Sequence, residues 1–180
     1  MTLTSSRPQI TTPRATTPCS FLVIGYGNEL RGDDAVGPVV AAAVASWHLP
    51  SVRTLSVQQL VPELADELAQ ADYVIFVDAC SQSCTRSIQI EPIVMGASSS
   101  DDQFTGSHVY DPWTLLKLTE SLYGYHPQAW LLQVPIECFD LGEQLSPTAQ
   151  HGCDRVLRAI EQFFMTYRQP VCMSPEASNA

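Results

Sequence analysis

The chain is poor in basic residues. Nine Lys and Arg stand against 19 Asp and Glu, a formal net charge of −10 over 180 residues. That balance argues against a nucleic-acid binder, which needs a basic patch for the phosphates. Long apolar runs are missing too: none approaches the ~18 residues of a membrane-spanning helix. The segment Met1 to Pro18 is rich in Thr, Ser and Pro. It lacks the apolar core of roughly 7–15 residues that marks a secretory signal. Its two Arg and absence of acids loosely match a transit peptide, but the simpler expectation is a disordered tail. None of the six cysteines forms a C-x-x-C pair, which argues against a structural zinc site. Without a secretory signal, free thiols in a reducing cytoplasm are expected. There is also no G-x-S-x-G, the turn that presents a nucleophilic serine.

What remains is an ordinary globular composition, 45% hydrophobic and 16% charged. One domain is expected over 20–168, between a disordered tail at 1–19 and a flexible tail at 169–180. Five apolar runs alternate with four helical patterns. The strands are expected at Leu22–Tyr26, Arg53–Val57, Tyr73–Val77, Ser87–Val94 and Trp130–Val134. The first helix carries Val36, Val40, Val44 and Trp47 on one stripe. The second begins at Pro62, with Leu60, Leu64 and Leu68 on one face. Asp111-Pro112 reads as an N-cap followed by proline at the first helical position, with Leu115, Leu118 and Leu122 inward. Ser146-Pro147 opens the last helix, with Val156, Ile160, Phe163 and Phe164 inward. The Ser-, Asp- and Gly-rich stretch 96–107 reads as a surface loop. Alternating strands and helices predict a single three-layer α/β/α domain around a mostly parallel, twisted sheet of about five strands.

The first strand ends in Gly25-Tyr26-Gly27-Asn28, and Asp33 and Asp34 follow directly before the first helix. Ligands bind at the C-terminal edge of such sheets, so these acids stand where chemistry is done. A dinucleotide site is the first competitor, but Leu30 occupies the place of the third glycine of G-x-G-x-x-G. Two carboxylates would also face the pyrophosphate. One of the two acids is expected to cap the helix, which leaves the other unexplained.

Asp78 follows the third run, at the same edge if the strands are parallel, and His108 lies shortly before the helix at Asp111. Two carboxylates and an imidazole suit a borderline divalent metal or general acid–base catalysis. The bland alternatives are a turn-forming Asp78 and a solvated loop His108. His48, His126 and His151 have no such context. Cys80 is the one thiol near this edge, in acidic surroundings that disfavour a thiolate.

G-Y-G-N-E-L-R-G-D-D-A-V-G, Gly25–Gly37, resembles the N-terminal signature of hydrogenase maturation endopeptidases. The resemblance continues at V-I-F-V-D-A (Val74–Ala79), G-S-H (Gly106–His108) and L-S-P-T-A (Leu145–Ala149), covering about Phe21 to Phe164. It implies a single α/β/α domain that removes a C-terminal extension from the large-subunit precursor of a nickel–iron hydrogenase after nickel insertion. The family's metal-contacting residues map onto Asp34, Asp78 and His108, the first of which is Glu in some members. The same three would be catalytic. The nickel ion would come with the precursor, and no organic cofactor is implied. The expected partner is that precursor, with no nucleic acid and no membrane, and the protein itself is expected to be a monomer. Two other functions compete: a non-catalytic nickel-dependent assembly chaperone, and a Rossmann-like nucleotide enzyme.

Overall fold

The computed structural model describes residues 19–80, 87–95, 110–137, 140–142 and 144–167. The expected tails, the loop at 96–107 and His108 lie outside the described residues. Five strands form one sheet: β1 Phe21–Tyr26, β2 Val52–Val57, β3 Tyr73–Cys80, β4 Gln89–Ile93 and β5 Gln128–Pro135. Their order is β2-β1-β3-β5-β4. The first four in that order run parallel, and β4 joins β5 antiparallel. The expected α/β/α sheet is therefore present, with one antiparallel edge strand.

Among the described residues four helices cover the sheet: α1 Val36–Ala45, α2 Leu64–Ala69, α3 Pro112–Tyr123 and α4 Pro147–Tyr167. A single 3-10 turn, Gly32–Ala35, leads into α1. Because side chains alternate along a strand, β1 feeds two cores. Phe21 and Val23 meet Val36, Val40, Val156 and Phe164 of α1 and α4 on one face. Leu22 and Ile24 meet Leu64, Leu68, Leu115 and Leu116 of α2 and α3 on the other. The central run of β3 is buried on both faces, as a continuous apolar strand should be.

Local chemistry accounts for the sharpest boundaries. Asp111 caps α3, its carboxylate accepting from the Thr114 amide at 2.6 Å, and Pro112 opens the helix. Gly124 ends it in the left-handed region, at φ 67°. Three details depart from the sequence reading. β3 continues two residues beyond Asp78, so Asp78 lies within a strand. α2 starts at Leu64, and Pro62 precedes it. Leu122 is 62% exposed, whereas Leu116 and Thr119 are buried. Leu115 is shared by both stripes, and the packing of α3 on α2 selects the one that includes Leu116.

Candidate functional site

Three glycines let the chain fold tightly at the C-terminal end of β1. A Cβ on Gly25 would lie 1.9 Å from the Gly37 carbonyl oxygen. One on Gly37 would lie 2.3 Å from the Tyr26 oxygen and 2.7 Å from the Val77 oxygen. The start of α1 thus rests directly on the ends of β1 and β3. Gly27 has φ 139°, and a Cβ there would lie 2.0 Å from the Asp34 carbonyl oxygen. The motif's glycines serve a close approach of backbone to backbone, with the Gly32–Ala35 turn folded over the strand end.

Neither acid of that turn caps α1, contrary to expectation. The Asp34 carboxylate instead accepts the Asn28 amide at 2.9 Å, and Asn28 Oδ1 accepts the Leu30 amide at 2.9 Å. Asp33 points the other way and is fully buried. It accepts from the Glu137 amide (2.7 Å), the Ser146 amide (2.6 Å) and the Ser146 hydroxyl (2.7 Å). The long-range partners explain why no local pattern revealed this: they lie 104 and 113 positions away. An amide of this turn that could meet a phosphate is already taken by Asp34, which weighs against the dinucleotide reading.

Asp78 lies on the neighbouring strand. Gly25 of β1 pairs with Val77 of β3, so Tyr26 and Asp78 are the next pair along and project to the same face. The Tyr26 hydroxyl is hydrogen-bonded to the Asp78 carboxylate. The Ala79 amide donates to Asp78 Oδ1 at 2.8 Å. Burial pushes the Asp78 carboxyl up to about 6, and the negative charge of Asp34 pushes the same way. The two hydrogen bonds oppose the rise without cancelling it. Burial and the charge of Asp78 also raise the Tyr26 phenol well above its ordinary value, with a smaller contribution from Asp111. The structure therefore brings Asp34 and Asp78 together, as expected, and adds Tyr26, which the sequence reading took only as the last residue of the first strand. Its signal was the register of β1 on β3, visible only once the two strands are known to be neighbours.

Among the described residues no three His, Cys, Asp or Glu side chains form a metal site. Asp34 and Asp78 place two carboxylates at this edge, and His108, the expected nitrogen donor, lies outside the described residues. Cys80, two residues beyond Asp78, is disulfide-bonded. This corrects the expectation of free thiols, which holds for Cys19 and Cys153.

A groove of about 320 Å³ runs from the Gly27–Leu30 loop to the end of β2, lined by Asn28, Glu29, Leu30, Pro38, Ser56 and Gln58. The Gly142 amide donates to the Leu30 carbonyl at 2.9 Å, joining two loops at this rim. Their leucines, Leu30 and Leu141, are 69% and 76% exposed. Among the described residues no helix is long and apolar enough to cross a membrane.

No protein-family model matches the chain, and no curated protein matches it in sequence. Solved structures do match. The NiFe hydrogenase maturation protease HycI from Thermococcus kodakarensis KOD1 superposes with a TM-score of 0.64 at 18% identity, covering 83% of this chain and 95% of that one. The hydrogenase maturating endopeptidase HybD from E. coli gives 0.63 at 20% identity, covering 82% and 93%. The hydrogenase 2 maturation peptidase from Thaumarchaeota archaeon SCGC_AB-539-E09 gives 0.60 at 21% identity, covering 81% and 97%. The chain shares its fold with these proteins over nearly their whole lengths.

Proposed function

We propose that the chain is an endopeptidase that removes the C-terminal extension of a nickel–iron hydrogenase large-subunit precursor. The observation that carries this reading is the pair Asp34 and Asp78 at the C-terminal sheet edge, on a fold shared with solved maturation proteases. The signature Gly25–Gly37 supports it from the sequence side. In this reading nickel belongs to the precursor and is part of the substrate. Asp34 and Asp78 offer it oxygen and His108 nitrogen, a donor set compatible with Ni²⁺. A partial set is an advantage, because a precursor without nickel lacks the bridging contact and is rejected.

Asp78 is the favoured general base. In the metal-free protein its carboxyl is raised to about 6 and is ionised at neutral pH, so it enters the reaction able to accept a proton. Tyr26 and the Ala79 amide orient it. A water held between Asp78 and the scissile carbonyl would lose its proton to Asp78 as it attacks, and Asp78 would return that proton to the leaving amine as the C–N bond breaks. Nickel held by Asp34, Asp78 and His108 would supply charge stabilisation to the carbonyl or to the water. The groove beside Asn28 and Gln58 offers room for an extended peptide, and exposed Leu30 and Leu141 give a protein substrate an apolar rim. A cytoplasmic enzyme acting as a monomer belongs to the same reading.

The test is the electrophoretic mobility of the large-subunit precursor, nickel-loaded or nickel-free, after mixing with wild type or Asp78→Asn. Shortening is expected only with nickel and wild type. A precursor retained by the folded protein without shortening would favour the assembly chaperone instead.

A further inference from the structure

The Asp33 carboxylate is fully buried and, among the described residues, accepts three hydrogen bonds from the connection between β5 and α4. Two come from its far end, the Ser146 amide and hydroxyl, and one from its near end, the Glu137 amide. Charge-assisted bonds of this kind are about twice as strong as neutral ones. Ser146 is shared: its hydroxyl also accepts the Ala149 amide at 3.1 Å, in the manner of an N-cap for α4. The next residue, Asp34, turns its carboxylate the opposite way, to the Asn28 amide. The turn between them has no side-chain cap of its own. On one side it is fixed by the glycine contact of Gly27 with the Asp34 backbone. On the other side Asp33 fixes it.

We infer that Asp33 is a positioning residue: it sets the direction of the Asp34 carboxylate by locking the Gly32–Ala35 turn to Glu137 and Ser146. The role of Asp34 in the reaction rests on the reading above; the lock itself does not. Substitution by asparagine cannot preserve it. The Ser146 amide points at Oδ1 and the Glu137 amide at Oδ2, so either orientation of the new amide sets an NH₂ against a backbone N–H. Ser146→Ala removes only the hydroxyl bond, and Ser146→Thr keeps it.

The test follows the Asn28 amide by hydrogen exchange in the full chain, since that N–H is protected by Asp34. In Asp33→Asn its exchange is expected to rise about tenfold or more, while the amides of β3 keep their protection. Ser146→Ala is expected to move it in the same direction by about threefold, and Ser146→Thr to restore it. An anchor serving α4 alone would loosen the α4 amides and leave Asn28 unchanged, and that result overturns the inference. If Asp33→Asn fails to fold, the Ser146 pair decides alone. Precursor processing by the same variants, well below their melting temperatures, is expected to lose about tenfold in kcat with little change in KM. A wild type that processes no precursor counts against the peptidase reading, whereas the exchange of Asn28 still decides this inference.

Discussion

The two ends of the sheet are built from opposite materials. At the N-terminal end, aromatic rings close the fold. Phe21 stacks on Tyr73 at 5.1 Å and meets Phe164 edge-on at 4.9 Å. Trp130 and Tyr167 extend the cluster through Phe163, at 4.4 and 4.8 Å. At the C-terminal end the same strands β1 and β3 finish in glycine, a phenol and carboxylates. Glycines there contribute no side-chain packing, and Asp78 carries a charge that its surroundings disfavour. One end holds the fold together. The other gives up stability to bring charged groups close, as functional sites do.

The largest effects should separate these ends. Asp78→Asn is expected to abolish precursor processing, by about 10³-fold or more if it removes the general base. Phe164→Ala, in the aromatic cluster, should cost about 3–5 kcal/mol of stability. Yet it should leave kcat close to wild type at temperatures where the chain stays folded. A Phe164→Ala protein that is stable but inactive would break the division between the ends.

The same Asp78→Asn substitution should stabilise the metal-free protein. The folded carboxyl stands at about 6 against 3.8 in its ordinary state. Between those values the native state binds more protons than the unfolded chain, so stability falls as pH rises through the window. Above it the full penalty remains, on the order of 3 kcal/mol. Asp78→Asn lacks the penalty and should melt higher at pH 7 to 8, with the advantage fading toward pH 4. Denaturant melts of both proteins across that range check the sign. An equal advantage at every pH would mean that the charge is not its source.

How much of this was legible in the sequence follows the range of the interactions. The five strands, four helices and the Asp111 cap were readable because period, proline and capping act within a few residues. Asp34 and Asp78 were readable because strand ends in an α/β sheet fall on one edge. Asp33 was misread as a cap candidate, since its partners come from the β5–α4 connection. Leu122 was misread because helical period alone allows either of two overlapping stripes. Tyr26 had no local signal at all: its meaning depends on β3 lying beside β1 in one register.

Tyr26 also offers the smallest and finest test. Its hydroxyl hydrogen-bonds Asp78 and favours the ionised carboxylate, opposing the rise that burial causes. Tyr26→Phe removes that single bond and keeps the ring, at a cost of about 1 kcal/mol. Without it, the Asp78 carboxyl should climb above about 6. If Asp78 acts in its ionised form, the acidic limb of the pH–rate profile moves to higher pH. Activity near pH 6 should then drop by about threefold and recover largely by pH 8. A structural role for the hydroxyl would lower the rate equally at all pH values. The displaced limb is therefore the measurement that ties the phenol to Asp78 and sets the end of the sheet built for chemistry apart from the end built for packing.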